Sequence, residues 1–200
     1  MQNNLSESVK EKLEKYSTNI LKWNEAYNLL SSSQDKEHIW NRHILDSTQL
    51  HEHLPVNAKI IADLGSGAGF PGIVCSIMSQ EKNLPHEYVL VESVGKKTNF
   101  LEDTIRILGL KNIKVRNERI EKVNDIKADV ITARAFSKLL DIFIITKNIQ
   151  KSGTVFLLHK GKNIGEEISE AKTKFSFDYQ LVNSVTGDGF IFIAENVKQL

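Results

Sequence analysis

The sequence has little cysteine, little proline and no long apolar run, and each shortage narrows the class of protein. Cys75 is the single cysteine among 200 residues, so the chain cannot form an internal disulfide. No apolar stretch approaches the roughly 20 residues that cross a bilayer, and no signal-peptide core is present. Three prolines and 26% charged residues are ordinary for a globular chain. We therefore expect a cytoplasmic protein that does not enter a membrane.

A strong charge of either sign is also missing, because 26 basic residues stand against 25 acidic ones. A net charge of +1 argues against a strongly basic nucleic-acid binder. The charges are nevertheless uneven, since residues 134–162 carry six basic residues and one acidic residue, and residues 93–122 carry eight against four. These segments form either ordinary solvated faces or a surface that attracts phosphate.

The most informative segment is Asp63-Leu64-Gly65-Ser66-Gly67-Ala68-Gly69-Phe70-Pro71-Gly72, where an apolar strand runs into a glycine-rich turn. Glycine adopts backbone angles that a Cβ forbids, and it lets a ligand reach the N–H groups at a helix start. Gly67 to Gly72 fit the G-x-G-x-x-G pattern of dinucleotide-binding domains. Gly65-x-Gly67-x-Gly69, two residues after Asp63, fits instead the pattern typical of S-adenosylmethionine (SAM) methyltransferases.

The acid before the turn favours SAM over a dinucleotide. SAM carries a sulfonium and an ammonium, which the carboxylate of Asp63 attracts, whereas a carboxylate repels a pyrophosphate. The predicted cofactor site accordingly includes Asp63, Gly65, Ser66, Gly67 and Gly69. A glycine turn that binds no ligand is the simpler alternative, although so many glycines in one turn raise the entropy lost on folding.

Three positions further along the chain complete the predicted cofactor and acceptor site. Glu92 ends the second strand, where a carboxylate binds ribose hydroxyls in either class of nucleotide-binding domain. Ile120 and Glu121 follow the third strand, where they are expected to cover the adenine and to accept from its exocyclic amine. Arg134 follows the fourth strand, at the edge where an acceptor meets the methyl group. For Glu92, Ile120 and Glu121, solvated or structural roles are the alternatives.

Short apolar strands alternate with helices from Lys59 onward, which predicts a doubly wound parallel sheet. Strands are expected at 59–64, 87–92, 113–116, 128–133 and 153–159, with helices at 72–80, 96–108, 138–150 and 163–174. Two strand-like runs, Phe177 to Val185 and Phe190 to Ala194, then flank the Gly187-Asp188-Gly189 turn and predict a closing antiparallel hairpin. This hairpin is typical of class I SAM-dependent methyltransferases with their Rossmann-like sheet, and nicotinamide-binding domains generally lack it.

Two amphipathic helices precede the sheet and predict an N-terminal helical extension. Apolar residues recur every three or four positions from Leu5 to Tyr27 and again from Ile39 to Leu50. Asn4, with Glu7 three residues on, and Asp35 are the expected N-terminal caps. We therefore divide the chain into a helical extension packed on the core, residues 1–55, and one compact methyltransferase unit, residues 56–200.

Six segments in one order resemble the bacterial RsmG family, also called GidB, over nearly the whole chain. They are Trp23-Asn24-x-x-Tyr27-Asn28-Leu29, Arg42-His43-Ile44-Leu45-Asp46-Ser47, the glycine segment from Asp63 to Gly72, Glu92-Ser93-Val94-Gly95-Lys96-Lys97, Arg134-Ala135-Phe136 and His159-Lys160-Gly161. The resemblance implies methylation of guanine N7 in small-subunit (16S) ribosomal RNA with SAM as donor. It also implies a cofactor site lined by Gly65, Phe70, Ile120, Glu121 and Arg134. Glu92 departs from the aspartate that is common in the family.

The chemistry implied by this resemblance needs positioning more than proton transfer. Guanine N7 has a lone pair and no proton, so no catalytic acid, base or metal is expected, and Arg134 and His43 are predicted to position the substrate. His43 and Asp46 read either as an acid–base pair or, as we prefer, as a helix-face contact near the substrate. The predicted RNA contacts are Arg42, Lys96, Lys97, Lys138, Lys160 and Lys162.

The expected partner is 16S rRNA, within the small ribosomal subunit or an assembly intermediate, and the protein is expected to be a monomer. Three alternatives stay open at this point. The first is a SAM enzyme that acts on a protein or a small molecule, and the second is a nicotinamide oxidoreductase. The third is a non-catalytic RNA-binding assembly factor with the same fold.

Overall fold

A seven-stranded sheet with helices on both faces forms the centre of the fold, seen in a computed structural model that describes residues 5–30, 35–187 and 189–200. The strands are β1 (Ile60–Leu64), β2 (Glu87–Glu92), β3 (Ile113–Asn117), β4 (Val130–Arg134), β5 (Val155–Lys160), β6 (Phe175–Asn183) and β7 (Phe190–Gln199). Their order across the sheet is β3-β2-β1-β4-β5-β7-β6, and only β7 runs antiparallel to both of its neighbours. The predicted doubly wound sheet with a closing hairpin is therefore confirmed.

Seven α-helices, one π-helical segment and one 3₁₀ turn are found in the described ranges. The α-helices are α1 (Glu7–Tyr27), α2 (Lys36–His38), α3 (Leu45–His51), α4 (Gly72–Glu81), α5 (Gly95–Leu108), α6 (Leu139–Ile145) and α7 (Ile164–Ala171). A π-helical segment, Ile39–Ile44, joins α2 to α3, and a 3₁₀ turn covers Ile120–Lys122. Within the described ranges, no helix has the length and apolar character needed to cross a membrane.

Of the two predicted N-terminal caps, only Asp35 lies within the described residues. The side chain of Asp35 accepts a hydrogen bond of 2.7 Å from the backbone N–H of His38, as predicted. The side chain of Ser6 caps α1 by accepting from the backbone N–H of Val9 at 3.3 Å. Asn4 itself lies outside the described residues, as does Asp188 in the predicted hairpin turn.

Several element ends differ from the predicted ones. The helix expected at 138–150 ends at Ile145, after which the chain continues in turns and the side chain of Gln150 donates to the carbonyl of Phe143 at 3.0 Å. The helix expected at 163–174 ends at Ala171. The last strand continues to Gln199 instead of Ala194, because its polar end still pairs with β6.

Alternation along β1 separates two apolar layers. Ala62 and Leu64 pack with the apolar residues of α6 and α7 on one face of the sheet. The opposite face carries the buried side chains of α4 and α5, and the same cluster takes in Leu13, Tyr16 and Ile20 of α1. The helical extension therefore packs through α1 against α4 and α5, while the division of the chain at residue 55 stays a prediction.

Candidate active site

The glycine turn between β1 and α4 adopts the backbone conformation that its sequence requires. Gly65, Gly67 and Gly69 have φ values of 57°, 56° and 91°, a region that favours glycine. A Cβ at Gly65 would overlap the ring of Phe136, whereas a Cβ at Gly67 would meet only a carbonyl oxygen 3.6 Å away. The turn is thus covered by Phe136 at Gly65, whereas no side chain covers it at Gly67.

Asp63 is fully buried at the end of β1. Its Oδ1 accepts a hydrogen bond of 2.7 Å from Thr132, its cross-strand neighbour on β4, while Oδ2 has no hydrogen-bond partner within the described residues. Burial raises the pKa of Asp63 to about 6, although the hydrogen bond from Thr132 opposes the shift. The carboxyl group therefore holds β1 to β4, and its attraction of a positively charged ligand stays a prediction.

Glu92 and Ser66 bind the backbone of the same turn. Glu92 Oε2 accepts from the N–H of Gly67 at 3.0 Å, and Oε1 accepts from the N–H of Val94 at 2.8 Å. The hydroxyl of Ser66 donates to the carbonyl of Asp63 at 3.0 Å. Each oxygen of a carboxylate has a second lone pair, so Glu92 can still accept from two hydroxyls. The glycine turn and the strand-end acid therefore form one unit.

The predicted adenine site is divided between a buried and an exposed residue. Ile120 is buried in the core beneath α6 and α7, whereas Glu121 is exposed at the start of the 3₁₀ turn. The carbonyl of Glu121 accepts from the side-chain amide of Asn148 at 3.2 Å. Only Glu121 of this pair offers its side chain to solvent.

Phe70 lies under the helical extension and does not face an open cleft. Its ring centroid is 5.3 Å from that of Tyr16 and 5.0 Å from that of His43, on which it stacks. Burial, together with the charges of Arg134 and Arg42, lowers the pKa of His43 to about 3. His43 is therefore neutral near pH 7, and its role in positioning the substrate stays a prediction.

Arg134 forms a partly buried ion pair with Asp46 of the helical extension. Its Nη1 donates to Asp46 Oδ2 at 3.0 Å, and its Nη2 donates to the carbonyl of Arg42 at 3.2 Å. The sequence pairs Asp46 with His43, three residues away, but the structure shows its carboxylate bound to an arginine 88 positions along the chain. The guanidinium thus joins the end of β4 to α3.

Asp46 binds groups from three further places at this edge of the sheet. Its Oδ1 accepts from Ser184 at 2.5 Å and from Thr186 at 3.1 Å, and its carbonyl lies 3.1 Å from His159 Nε2. Burial opposes ionisation, but the hydrogen bond from Ser184 and the charge of Arg134 hold the pKa of Asp46 below its usual value. Asp46 is therefore a carboxylate at neutral pH.

The predicted RNA-contacting residues fall into an accessible set and one buried residue. The side chains that reach the surface are those of Arg42, Lys96, Lys97, Lys138 and Lys162. Lys160 differs, because its side chain is 6% exposed and its ammonium donates to Glu167 Oε2 at 2.7 Å and to the carbonyl of Ser137 at 2.6 Å. Lys160 therefore does not contribute to an exposed basic face, although the sequence had led us to expect that it would.

A cavity of about 320 Å³ lies at the carboxyl ends of β4 and β5, and Ala133 and Ala135, the chain neighbours of Arg134, contribute to its lining. The loop after β4, including Phe136 and Lys138, forms one wall, and Lys160 with Glu167 forms another. In open α/β sheets this edge is the ligand-binding crevice. The cavity therefore has the position expected of an acceptor site.

Comparison with known proteins gives the family. A model of the GidB family, described as rRNA small subunit methyltransferase G, matches residues 9–189. The chain belongs to the GidB family. A protein from Rickettsia felis named ribosomal RNA small subunit methyltransferase G is 42% identical over 191 residues, which is 95% of each chain. The protein of that name from Ruegeria pomeroyi is 34% identical over 183 residues, 92% of this chain and 88% of its own.

Solved structures agree on the fold. A SAM-dependent methyltransferase from Aquifex aeolicus aligns with a TM-score of 0.61 at 16% identity, over 78% of this chain and 92% of its own. An O-methyltransferase from Bacillus cereus aligns with a TM-score of 0.59 at 15% identity, over 92% of this chain and 90% of its own. The family resemblance, the class I methyltransferase fold and the assignment as a methyltransferase are therefore confirmed.

Three site residues are absent from the predicted set. Asp46 has its present partner because distant segments fold together, and no local spacing indicates such a pair. Phe136 lies two residues after Arg134, which ends β4, so its position after a strand end was a usable signal. Glu167 lies in the first turn of α7, where acids are common for helix-dipole reasons alone, and its sequence position gives no sign of a site.

Proposed function

We propose that this protein transfers the methyl group of SAM to N7 of a guanine in 16S rRNA. The observation that carries the proposal is the bond between the glycine turn and Glu92, which joins the carboxyl ends of β1 and β2 in a chain of the GidB family. A Cβ at Gly67 would meet only the carbonyl oxygen of Gly65, so the turn is open on this side, next to that carboxylate. The residues present therefore fit SAM as the cofactor.

The proposed cofactor contacts follow from the places of the residues at this edge. Glu92 binds the ribose hydroxyls, and Glu121 accepts from the adenine amine. Asp63, shielded from water and with one oxygen unpaired in the described residues, favours the positively charged end of the cofactor. The turn and its surroundings complete the site with Gly65, Ser66, Gly67, Gly69, Phe70, Ile120 and Arg134.

The protein contributes orientation to the reaction. Bound SAM supplies an electrophilic methyl group on a sulfonium. Guanine N7 needs no deprotonation, so this chain has only to hold the base in line, and such alignment is worth about 7–11 kcal/mol in favourable cases. Asp46 fixes Arg134 at the acceptor edge, and neutral His43 supports Phe70 beside the turn. These contacts hold Arg134 and Phe70, on the two sides of the proposed site, in place.

The RNA reaches this edge as an unpaired guanine. In A-form RNA, N7 lies in a deep and narrow groove that side chains cannot enter, so the target base must be splayed or flipped out. The accessible basic residues Arg42, Lys96, Lys97, Lys138 and Lys162 bind the flanking phosphates. A net charge of only +1 gives weak attraction to protein-free RNA, so the substrate is the small ribosomal subunit or an assembly intermediate. The protein acts there as a monomer in the cytoplasm.

The test is to incubate the protein with methyl-labelled SAM and small ribosomal subunits that lack the modification. After digestion of the RNA, we expect the label in 7-methylguanosine, with less label on protein-free 16S rRNA. Label in another nucleoside or in a ribosomal protein would contradict the proposed acceptor. Tight RNA binding without SAM-dependent transfer would favour an assembly factor, and sedimentation of the free protein checks the monomer.

The cofactor site has a matched pair of variants on one strand. Glu92 ends β2 at the proposed site, and Glu87 begins β2 at the other edge of the sheet. We expect Glu92→Gln to weaken SAM binding, measured by calorimetry, about tenfold or more, because a charge-assisted hydrogen bond is lost. Glu87→Gln is expected to bind SAM as the unaltered protein does. Equal effects of the two changes would contradict the assignment of Glu92.

A further inference from the structure

The cavity after β4 and β5 has walls of distinct chemistry. Its volume of about 320 Å³ falls at the lower end of the range for small-ligand sites. One wall is the aromatic ring of Phe136, and another is the ion pair of Lys160 and Glu167. An aromatic face next to a fixed donor and acceptor suits a flat, polar ligand such as a nucleobase.

Phe136 connects this cavity to the glycine turn. Its ring packs against Gly65 so closely that a Cβ there would overlap it, and 37% of the residue is still exposed. The same ring therefore borders both the proposed cofactor site and the cavity. A base in the cavity lies next to the turn that holds the cofactor.

The ion pair leaves hydrogen-bonding capacity for a ligand. Glu167 Oε2 accepts from Lys160 and also from the backbone N–H of Leu139 at 2.8 Å, whereas Oε1 accepts no hydrogen bond within the described residues. The Lys160 ammonium has three hydrogens and uses two of them, on Glu167 and on the carbonyl of Ser137. One acceptor and one donor therefore remain on the wall of the cavity.

We propose that this pair recognises the Watson–Crick edge of the guanine that is methylated, an inference that rests on the proposed function. Glu167 Oε1 accepts from N1–H and from the 2-amino group, Lys160 donates to O6, and Phe136 covers the face of the ring. N7 lies on the other edge of the base and stays free for methyl transfer. Adenine is rejected, because its N1 is an acceptor and would face the carboxylate.

The test compares two bases at one position of the RNA. Small subunits are assembled from 16S rRNA that carries either guanosine or inosine at the methylated position. Hypoxanthine, the base of inosine, keeps N7, O6 and N1–H but lacks the 2-amino group. We expect the unaltered protein to prefer guanine in kcat/KM about tenfold or more, since a carboxylate acceptor loses a partner with inosine. In Glu167→Gln the amide oxygen takes over the contacts with Lys160 and Leu139, so a donor NH2 replaces the acceptor Oε1 and this preference falls to about one.

The preference is a ratio of two rates from one preparation, so a partly unfolded variant does not distort it. Glu166→Gln is the matched control, because it removes the same charge from the neighbouring exposed residue of α7 and is expected to keep the full preference. A Glu167→Gln protein that is slower on both bases with an unchanged ratio would overturn the inference and make the ion pair structural.

The unaltered protein alone provides a second decision. Equal rates on guanosine and inosine would overturn the inference without any variant, even though 7-methylguanosine still forms and the proposed function stands. Absence of 7-methylguanosine from the guanosine substrate would overturn the proposed function and this inference together.

Discussion

Asp46 binds more separate parts of the sheet edge than any other acid described above. Its carboxylate accepts from Arg134 on β4 and from Ser184 and Thr186 between β6 and β7, and its carbonyl lies against His159 on β5. A buried charge of this kind is costly unless every partner is in place. The network therefore sets where Arg134 lies, and its loss should be felt in stability as well as in activity.

We expect Asp46→Asn to lower the free energy of unfolding by about 2–3 kcal/mol, because the partly buried guanidinium of Arg134 loses its counter-charge. Urea unfolding followed by circular dichroism measures the change. Asp125→Asn is the control, since Asp125 pairs with Arg116 on the surface, where an ion pair contributes about 1 kcal/mol or less. Similar losses in the two variants would show that the Asp46 network is not a special source of stability.

Three histidines predict acid lability. Burial lowers the pKa of His43 and His51 to about 3 and that of His159 to about 4. Since the unfolded rings take up protons near pH 6.5, stability is complete above that pH and falls as the pH drops toward 4. Asp63 has the opposite effect on stability, because its pKa is raised to about 6 and the folded state therefore takes up this proton at a higher pH than the unfolded chain does.

Between about pH 6 and pH 4 the unfolded chain therefore binds about two more protons than the folded one from these four groups. This difference corresponds to a loss of about 3 kcal/mol of unfolding free energy per pH unit. Urea unfolding at pH 7.5, 5.5 and 4.5 measures the slope, and nuclear magnetic resonance of the ring protons identifies the groups. Rings of His43, His51 and His159 that titrate near pH 6.5 would refute the explanation.

At the scale of elements, α1 is bound to the glycine turn as well as to other helices. The hydroxyl of Tyr16, which is fully buried, donates to the carbonyl of Ala68 at 2.5 Å. Trp23 Nε1 donates to Asp103 of α5 at 3.2 Å. We propose that the helical extension, residues 1–55, folds with residues 56–200 as one unit and holds the turn in its binding conformation.

We expect Tyr16→Phe to lower the free energy of unfolding by about 1–2 kcal/mol, because it leaves the buried carbonyl of Ala68 unsatisfied. SAM affinity should fall as well, since Ala68 lies within the turn. Calorimetry measures both quantities, and Tyr179→Phe, at an exposed tyrosine of β6, controls for the loss of a hydroxyl. Unchanged SAM binding by a destabilised Tyr16→Phe protein would separate the helix from the cofactor site.

Local sequence signals predicted the elements that local physics determines. The run into Gly65, Gly67 and Gly69 predicted a strand and a turn, because positive φ angles and apolar periodicity are properties of a short segment. The π-helical segment Ile39–Ile44 and the partner of Asp46 depend on packing between distant segments, and no spacing indicated them. Lys160 was assigned to the surface for the same reason, since its partner Glu167 comes from another element.

At the scale of the whole molecule, a nearly neutral protein must bind RNA through the placement of its charges. Lys96 and Lys97 begin α5, directly after the carboxyl end of β2 and therefore at the edge of the proposed site. Lys111 and Lys114 lie at the amino end of β3, on the opposite edge of the sheet. The two pairs carry the same charge, so they separate a local contact with RNA from a general effect of net charge.

We expect Lys96→Gln with Lys97→Gln to weaken binding to small ribosomal subunits and to reduce the slope of log affinity against log salt by about 1–2, since each phosphate contact releases condensed counterions. Lys111→Gln with Lys114→Gln should leave that slope unchanged, although it lowers the net charge equally. Filter binding from 50 to 200 mM salt measures both slopes. Because SAM does not bind through these lysines, its affinity should be the same in all the proteins. Equal slopes for the two double variants would mean that RNA is attracted by net charge and not by the edge that carries the glycine turn.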